Sequence, residues 1–150
     1  MLNFADIAPV VARRFEGGSA AIPRIVEDLL SQRHAWFQRD ANNPEAVELL
    51  GLALNEVLHT VVEFAGVQQP GHHSGVELWV DKALVILSVQ FQGRDLPEWL
   101  TISWDRRQEP AVLAPPHDLG WGWLLVREAL DSVQHTRVGN RQTLFLEKRF

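Results

Sequence analysis

The chain of 150 residues has no cysteine, no tyrosine and a single methionine. Without cysteine there is no disulfide, no thiolate metal site and no cysteine nucleophile. It has no Lys/Arg run either: 14 basic residues are scattered among 19 acidic ones, for a net charge of −5. That balance argues against nucleic acid or an anionic membrane as partner and leaves room for a basic protein surface. No apolar stretch approaches the roughly 18 residues of a membrane span. The N-terminus shows no basic segment followed by an apolar run, so no signal peptide is expected and a soluble cytoplasmic protein is the expectation. Neither G-x-x-x-x-G-K-S/T nor G-x-S-x-G occurs, which leaves P-loop and hydrolase readings without support. The six histidines offer no H-x-x-x-H pair. His72-His73 is adjacent in a loop, and His34, His117 and His135 are isolated in sequence. No metal site is expected.

The size and the 46% hydrophobic content suit one domain with a proper core. Residues 1–10 are a weakly patterned lead-in. Val11 to Glu16 reads as a strand closed by Gly17-Gly18, and Ser19 to Gln32 as a helix. In that helix Ile22, Ile25, Val26, Leu29 and Leu30 recur at helical spacing, with Pro23 tolerable in the first turn. Asn43-Pro44-Glu45 is a helix start: an N-cap, a proline at the first helical position, then an acid. The spacing predicts a helix from there to Ala65, burying Val47, Leu50, Leu54, Val57, Leu58, Val61 and Ala65 and stopping at Gly66. Val76–Val80 and Ala83–Phe91 read as a hairpin turning at Asp81-Lys82.

Residues 93–120 form a long irregular stretch with Pro97, Pro110, Pro115 and Pro116. A loop of that length is typically functional or mobile. Pro97-Glu98-Trp99 suggests a short element within it, and four of the six tryptophans fall between positions 99 and 123. Gly120-Trp121-Gly122 then opens a helix expected to run to Val133 along Trp123, Val126, Leu130 and Val133. Thr136–Val138 and Gln142–Lys148 read as a closing hairpin over Gly139-Asn140-Arg141. The order β-α-α-β-β-loop-α-β-β predicts an α+β, two-layer sandwich of one sheet and one helical layer.

Two features carry chemistry. A glycine turn feeding a helix N-terminus points backbone N–H groups at an anion, so Gly120 and Gly122 fit either a phosphate cradle or a tight turn for close packing. On the long helix, Glu56 and Thr60 sit four apart and share a face, as do Asn55 and His59. A carboxylate with a hydroxyl one turn on can handle a water or a magnesium ion; the alternative is a solvated polar edge.

Taken together, these boxes resemble the histidine-kinase-like ATPase superfamily over residues 11–149, and within it the small bacterial anti-sigma-factor serine kinases of partner-switching systems. The family's long helix carries a glutamate and, four residues on, an asparagine; Leu52-Ala-Leu-Asn-Glu-Val-Leu-His-Thr-Val-Val-Glu-Phe-Ala65 resembles that box. Val89-Gln-Phe-Gln-Gly-Arg-Asp-Leu-Pro97 stands where the family has a strand ending in Asp-x-Gly-x-Gly. Gly120-Trp-Gly-Trp-Leu-Leu-Val-Arg-Glu-Ala-Leu-Asp131 and Thr143-Leu-Phe-Leu-Glu-Lys148 resemble its second glycine block and closing hairpin. The resemblance implies one mixed, mostly antiparallel sheet covered on one face by about three helices, with residues 93–120 as a lid.

The resemblance also locates a nucleotide site and its departures. Glu56 keeps the position of the glutamate that activates the attacking group. Thr60 replaces the Mg2+-coordinating asparagine, Phe91 replaces the aspartate that accepts the adenine amino group, and Asp95 replaces the second glycine of that turn, while Gly93, Gly120 and Gly122 remain. Phenylalanine accepts nothing and has about the bulk of the slot. The expectation is a regulatory protein that binds a sigma factor, an anti-anti-sigma antagonist or both, with ATP binding lost or strongly weakened and no cofactor. The alternative is an active serine kinase with ATP and Mg2+ that phosphorylates the antagonist. Family members commonly dimerise, so the resemblance is compatible with a homodimer. Neither nucleic acid nor a membrane is an expected partner.

Overall fold

The computed structural model describes residues 9, 11–15, 18–31, 44–65, 74–81, 84–92, 96, 103–105 and 121–150. Their elements are β1 (Val11–Phe15), a 3-10 turn (Gly18–Ala21), α1 (Ile22–Ser31), α2 (Pro44–Ala65), β2 (Ser74–Asp81), β3 (Leu84–Gln92), β4 (Trp104–Asp105), α3 (Trp121–Ala129), β5 (Ser132–Val138) and β6 (Arg141–Arg149). The strands make one six-stranded sheet in the order β1-β2-β3-β6-β5-β4. Every described pairing is antiparallel, so the mixed sheet expected from the resemblance is not what these strands form. The α+β class and one sheet with three helices stand. No helix among the described residues is long and apolar enough to cross a membrane.

The interior follows from strand alternation. Val76, Leu78, Val85, Leu87, Val89, Phe91, Val133, Leu144 and Leu146 share one buried cluster with the apolar residues of all three helices. Successive strand residues point to opposite faces, so the helices cover the face carrying the odd positions of β3 and the even positions of β6. The central helix α2 is buried around much of its girth, at Val47, Leu50, Ala53, Leu54, Val57, Leu58, Val61 and Val62. Its neighbours explain this: α1, α3 and β3 all pack on it. Where α1 crosses α2, Gly51 leaves room for the Leu30 side chain: a Cβ there would lie 2.7 Å from Leu30 Cδ1.

The core-facing spacing of α1 and of α2 from Val47 to Val61 agrees with the sequence reading, while the side chain of Ala65 lies outside what is described. Ile22, Ile25 and Leu29 are buried, with Val26 and Leu30 packed at the margin. Pro23 is the second residue of α1, where its missing N–H has no intrahelical partner to lose. Pro44 opens α2, while its expected cap Asn43 and its expected stop Gly66 lie outside the described residues. So does the element expected at Pro97-Glu98-Trp99.

Three boundaries differ. Asp81 pairs with Leu84, so the residues between β2 and β3 are Lys82 and Ala83, not Asp81 and Lys82. The last helix stops at Ala129, and Val133 belongs to β5. Leu130 N–H still donates to Val126 O at 3.1 Å, but Asp131 N–H donates to Glu147 O at 2.8 Å, so pairing with β6 captures the backbone there. Val133 is buried in either arrangement, which is why spacing alone extended the helix through it. Finally, Val138 pairs with Arg141, which leaves a two-residue turn, Gly139-Asn140, in place of the three-residue turn expected. Gly139 takes φ of 63°, a left-handed conformation that glycine adopts without a Cβ penalty and that tight hairpin turns require.

The opposite face of the sheet also holds buried groups: Trp79 and Ile86, cross-strand partners, and Ser88. Ser88 Oγ is buried with no hydrogen-bond partner among the described residues. A buried hydroxyl left in this way carries a desolvation cost that its removal relieves. Ser88→Ala is therefore expected to leave stability unchanged or raise it by up to about 1 kcal/mol, whereas Leu54→Ala should cost about 2–5 kcal/mol. Urea unfolding of the two variants checks both signs.

Candidate functional site

The sequence singles out Glu56, Thr60, Phe91, Gly93, Asp95, Gly120 and Gly122. Of these, Gly93, Asp95 and Gly120 lie outside the described residues. Gly122 is the second residue of α3, within its first turn. Glu56 and Thr60 lie on α2 and Phe91 near the end of β3.

Glu56 is half-buried and Thr60 nearly buried, at 9% exposure. Thr60 Oγ1 donates to the backbone carbonyl of Glu56 at 2.9 Å. This is the local back-bond a threonine makes inside a helix. The pair is thus joined, but through Glu56's main chain, with the hydroxyl turned onto its own helix. Asn55 is half-buried and His59 exposed, so this second pair straddles the margin of α2.

Phe91 is 1% exposed and belongs to the main core cluster. Its side chain therefore points into the helix-covered face. Across the strand its register partner is Gln142 of β6, whose own partner in β5 is Arg137. Gln142 is wholly buried, a rare state for an amide. Its Oε1 lies 2.9 Å from His135 Nε2, and with the amide in this orientation the ring N–H donates. His135 faces the same side one register pair along, opposite Leu144.

Sequence reasoning missed Gln142 and His135 as a unit. One signal was available: Gln142, Leu144 and Leu146 alternate on one face of β6, so a glutamine stands at a core position of an apolar series. The histidine that satisfies it could not be read from spacing, because only the turn at Gly139-Asn140 sets the register that brings the two together.

Beside this region, α3 and β4 are joined by Arg127, whose guanidinium lies 4.1 Å from the centre of the Trp104 ring. At the far end of α3, Asp131 Oδ2 accepts the Arg149 N–H at 2.7 Å, and Lys148 Nζ lies 4.0 Å from the same oxygen. Asp131 thereby fastens the helix exit to the last strand. Among the described residues no three His, Asp or Glu side chains converge.

The family resemblance implies ATP with Mg2+, and the described residues do not fit that ligand pair. At the position that the resemblance aligns with an adenine acceptor stands a buried phenyl ring beside a buried amide already engaged by histidine. At the position that the resemblance aligns with a metal ligand stands a short hydroxyl, folded back onto α2. Comparison with family models and with curated proteins gave no match.

The buried polar pair has a measurable signature. His135→Ala removes the N–H that Gln142 Oε1 accepts and should cost about 1–3 kcal/mol. In a background of Gln142→Ala the same histidine change should cost much less, because the two act through one bond. A double-mutant cycle by chemical denaturation reads this coupling. Thr60→Val, which gives up only a bond within the helix, should stay within about 1 kcal/mol of the parent.

Proposed function

We propose that this chain is an anti-sigma-factor-like regulatory protein that acts by binding partner proteins in a partner-switching pathway. It does so on a histidine-kinase-like ATPase scaffold in which ATP binding is lost or strongly weakened. The observation that carries the reading is Phe91: a wholly apolar side chain, 1% exposed, at the strand position where the resemblance requires an acceptor for the adenine amino group. A missing buried hydrogen bond to a purine amino group costs about 1–3 kcal/mol, and the ring's bulk adds exclusion to that loss. At Thr60 the metal position offers a hydroxyl in place of an amide carbonyl. Phosphoryl transfer depends on the ion for charge neutralisation, so a weakened ligand there counts against robust kinase activity.

Partner binding needs neither group. A sigma factor, an antagonist protein or both are the proposed partners, met in the cytoplasm by a monomer or homodimer. The alternative reading is an active serine kinase in which Glu56 activates the attacking hydroxyl of an anti-anti-sigma protein. Its supporting observation is that Glu56 is half-buried on α2 one turn from Thr60, with its backbone rather than its carboxylate engaged by that residue.

Calorimetric titration with ATP and Mg2+ separates the two. No saturable binding in the micromolar range is expected; saturation there would overturn the binding-only reading in favour of the kinase. Affinity capture from the source cytoplasm, with the retained proteins identified, is expected to return a sigma factor or an antagonist-type protein, and return of neither would overturn the partner assignment.

A further inference from the structure

We infer that Phe91 is only half of the obstruction, and that Gln142, held by His135, is the other half: together they form an internal plug that excludes the planar base of a purine nucleotide. The inference rests on the functional reading above, and concerns which residues close the slot. Phe91 and Gln142 are register partners on adjacent antiparallel strands. Side chains so related stand about 4.5–5.5 Å apart at Cβ, on the same face. Both are buried, at 1% and 0% exposure. A ring and a planar amide side by side offer one flat apolar element and one hydrogen-bonding edge, the two things a purine brings to a protein pocket. Here the protein supplies both from its own chain.

The amide is also fixed. A glutamine has three side-chain torsions and is costly to order, and burial without a partner would penalise it further. The 2.9 Å contact with His135 Nε2 satisfies Oε1 and holds the amide in place. His135 itself is half-exposed and anchored through its backbone, where its N–H donates to Ser103 Oγ at 3.1 Å. Gln142 is therefore a positioned element of the slot, not a flexible side chain that a ligand could push aside.

The consequence is epistatic. Restoring an acceptor and a metal ligand alone, by Phe91→Asp with Thr60→Asn, leaves the amide in place. Adding Gln142→Ser trims it. Three full-length proteins would be titrated with ADP and with ATP in Mg2+: the parent, the two-site variant and the three-site variant, each first shown to unfold cooperatively. The expected result is that the two-site variant gains less than threefold in affinity, while the three-site variant binds at least about tenfold more tightly than it. A two-site variant that binds as well as the three-site one would overturn the role of Gln142 and leave the functional reading standing. Nucleotide binding by the parent would overturn the functional reading itself. No gain in either variant would overturn the plug. As a readout independent of nucleotide, the His135 ring nitrogens should shift in NMR on Gln142→Ser; an unchanged ring spectrum would also overturn it.

Discussion

The antiparallel pairing of β3 with β6 is the constraint on which the rest of the molecule depends. It runs from Leu84 opposite Arg149 to Gln92 opposite Arg141 and occupies the middle of the sheet. Because the pleat has a period of two, a slip of one residue would turn every core side chain to the other face. This one register sets Leu87 beside Leu146 and Val89 beside Leu144, makes the floor on which α2 lies, and places Phe91 beside Gln142. The tight turn at Gly139-Asn140 then carries the register on into β5, setting Val133 beside Leu146 and His135 beside Leu144.

Along that floor the character of the interior changes. The rows through Leu78, Leu87, Leu146 and Val133 are wholly apolar. Toward the start of β6, polar groups enter on the side that the helices cover: Gln142 is wholly buried and His135 half-buried, while Arg137 beyond them is exposed. A polar end in an otherwise apolar core is costly unless each group is satisfied, and here the histidine–glutamine contact does part of that work. The bond with His135 fixes the Gln142 amide at this corner of the interior. The surface ion pair between Arg13 and Asp28, at 3.3 Å and with both side chains more than two-fifths exposed, adds little by comparison.

Much of the fold was legible locally. The buried faces of α1 and α2 repeat at helical spacing, Pro44 marks a helix start, and the two hairpins show as alternating runs about short polar breaks. The boundaries that moved share a cause. Val133 continues the helical spacing of Val126 and Leu130, yet the strand ladder with β6 takes it. One hairpin break moved by a residue and the other shortened by one, because pairing partners, not composition, decide which residue is the last one paired. The short strand Trp104–Asp105 had no periodic signal at all, being only two residues long. It is defined by its pairing with Ser132 and Val133.

Of the candidate site, the sequence by itself determined which chemical groups are available: a glutamate and threonine one turn apart, a phenylalanine near the end of a strand, glycines about the start of the last helix, and no thiol. Helical periodicity was enough to put Glu56 and Thr60 on one face, since the α-helix is a local structure whose geometry depends on neighbours in the chain. The tertiary structure alone decided what those groups do. It sealed Phe91 in the core and set Gln142 beside both Phe91 and His135. Those relations cross from strand to strand, and cross-strand register is a property of the assembled sheet.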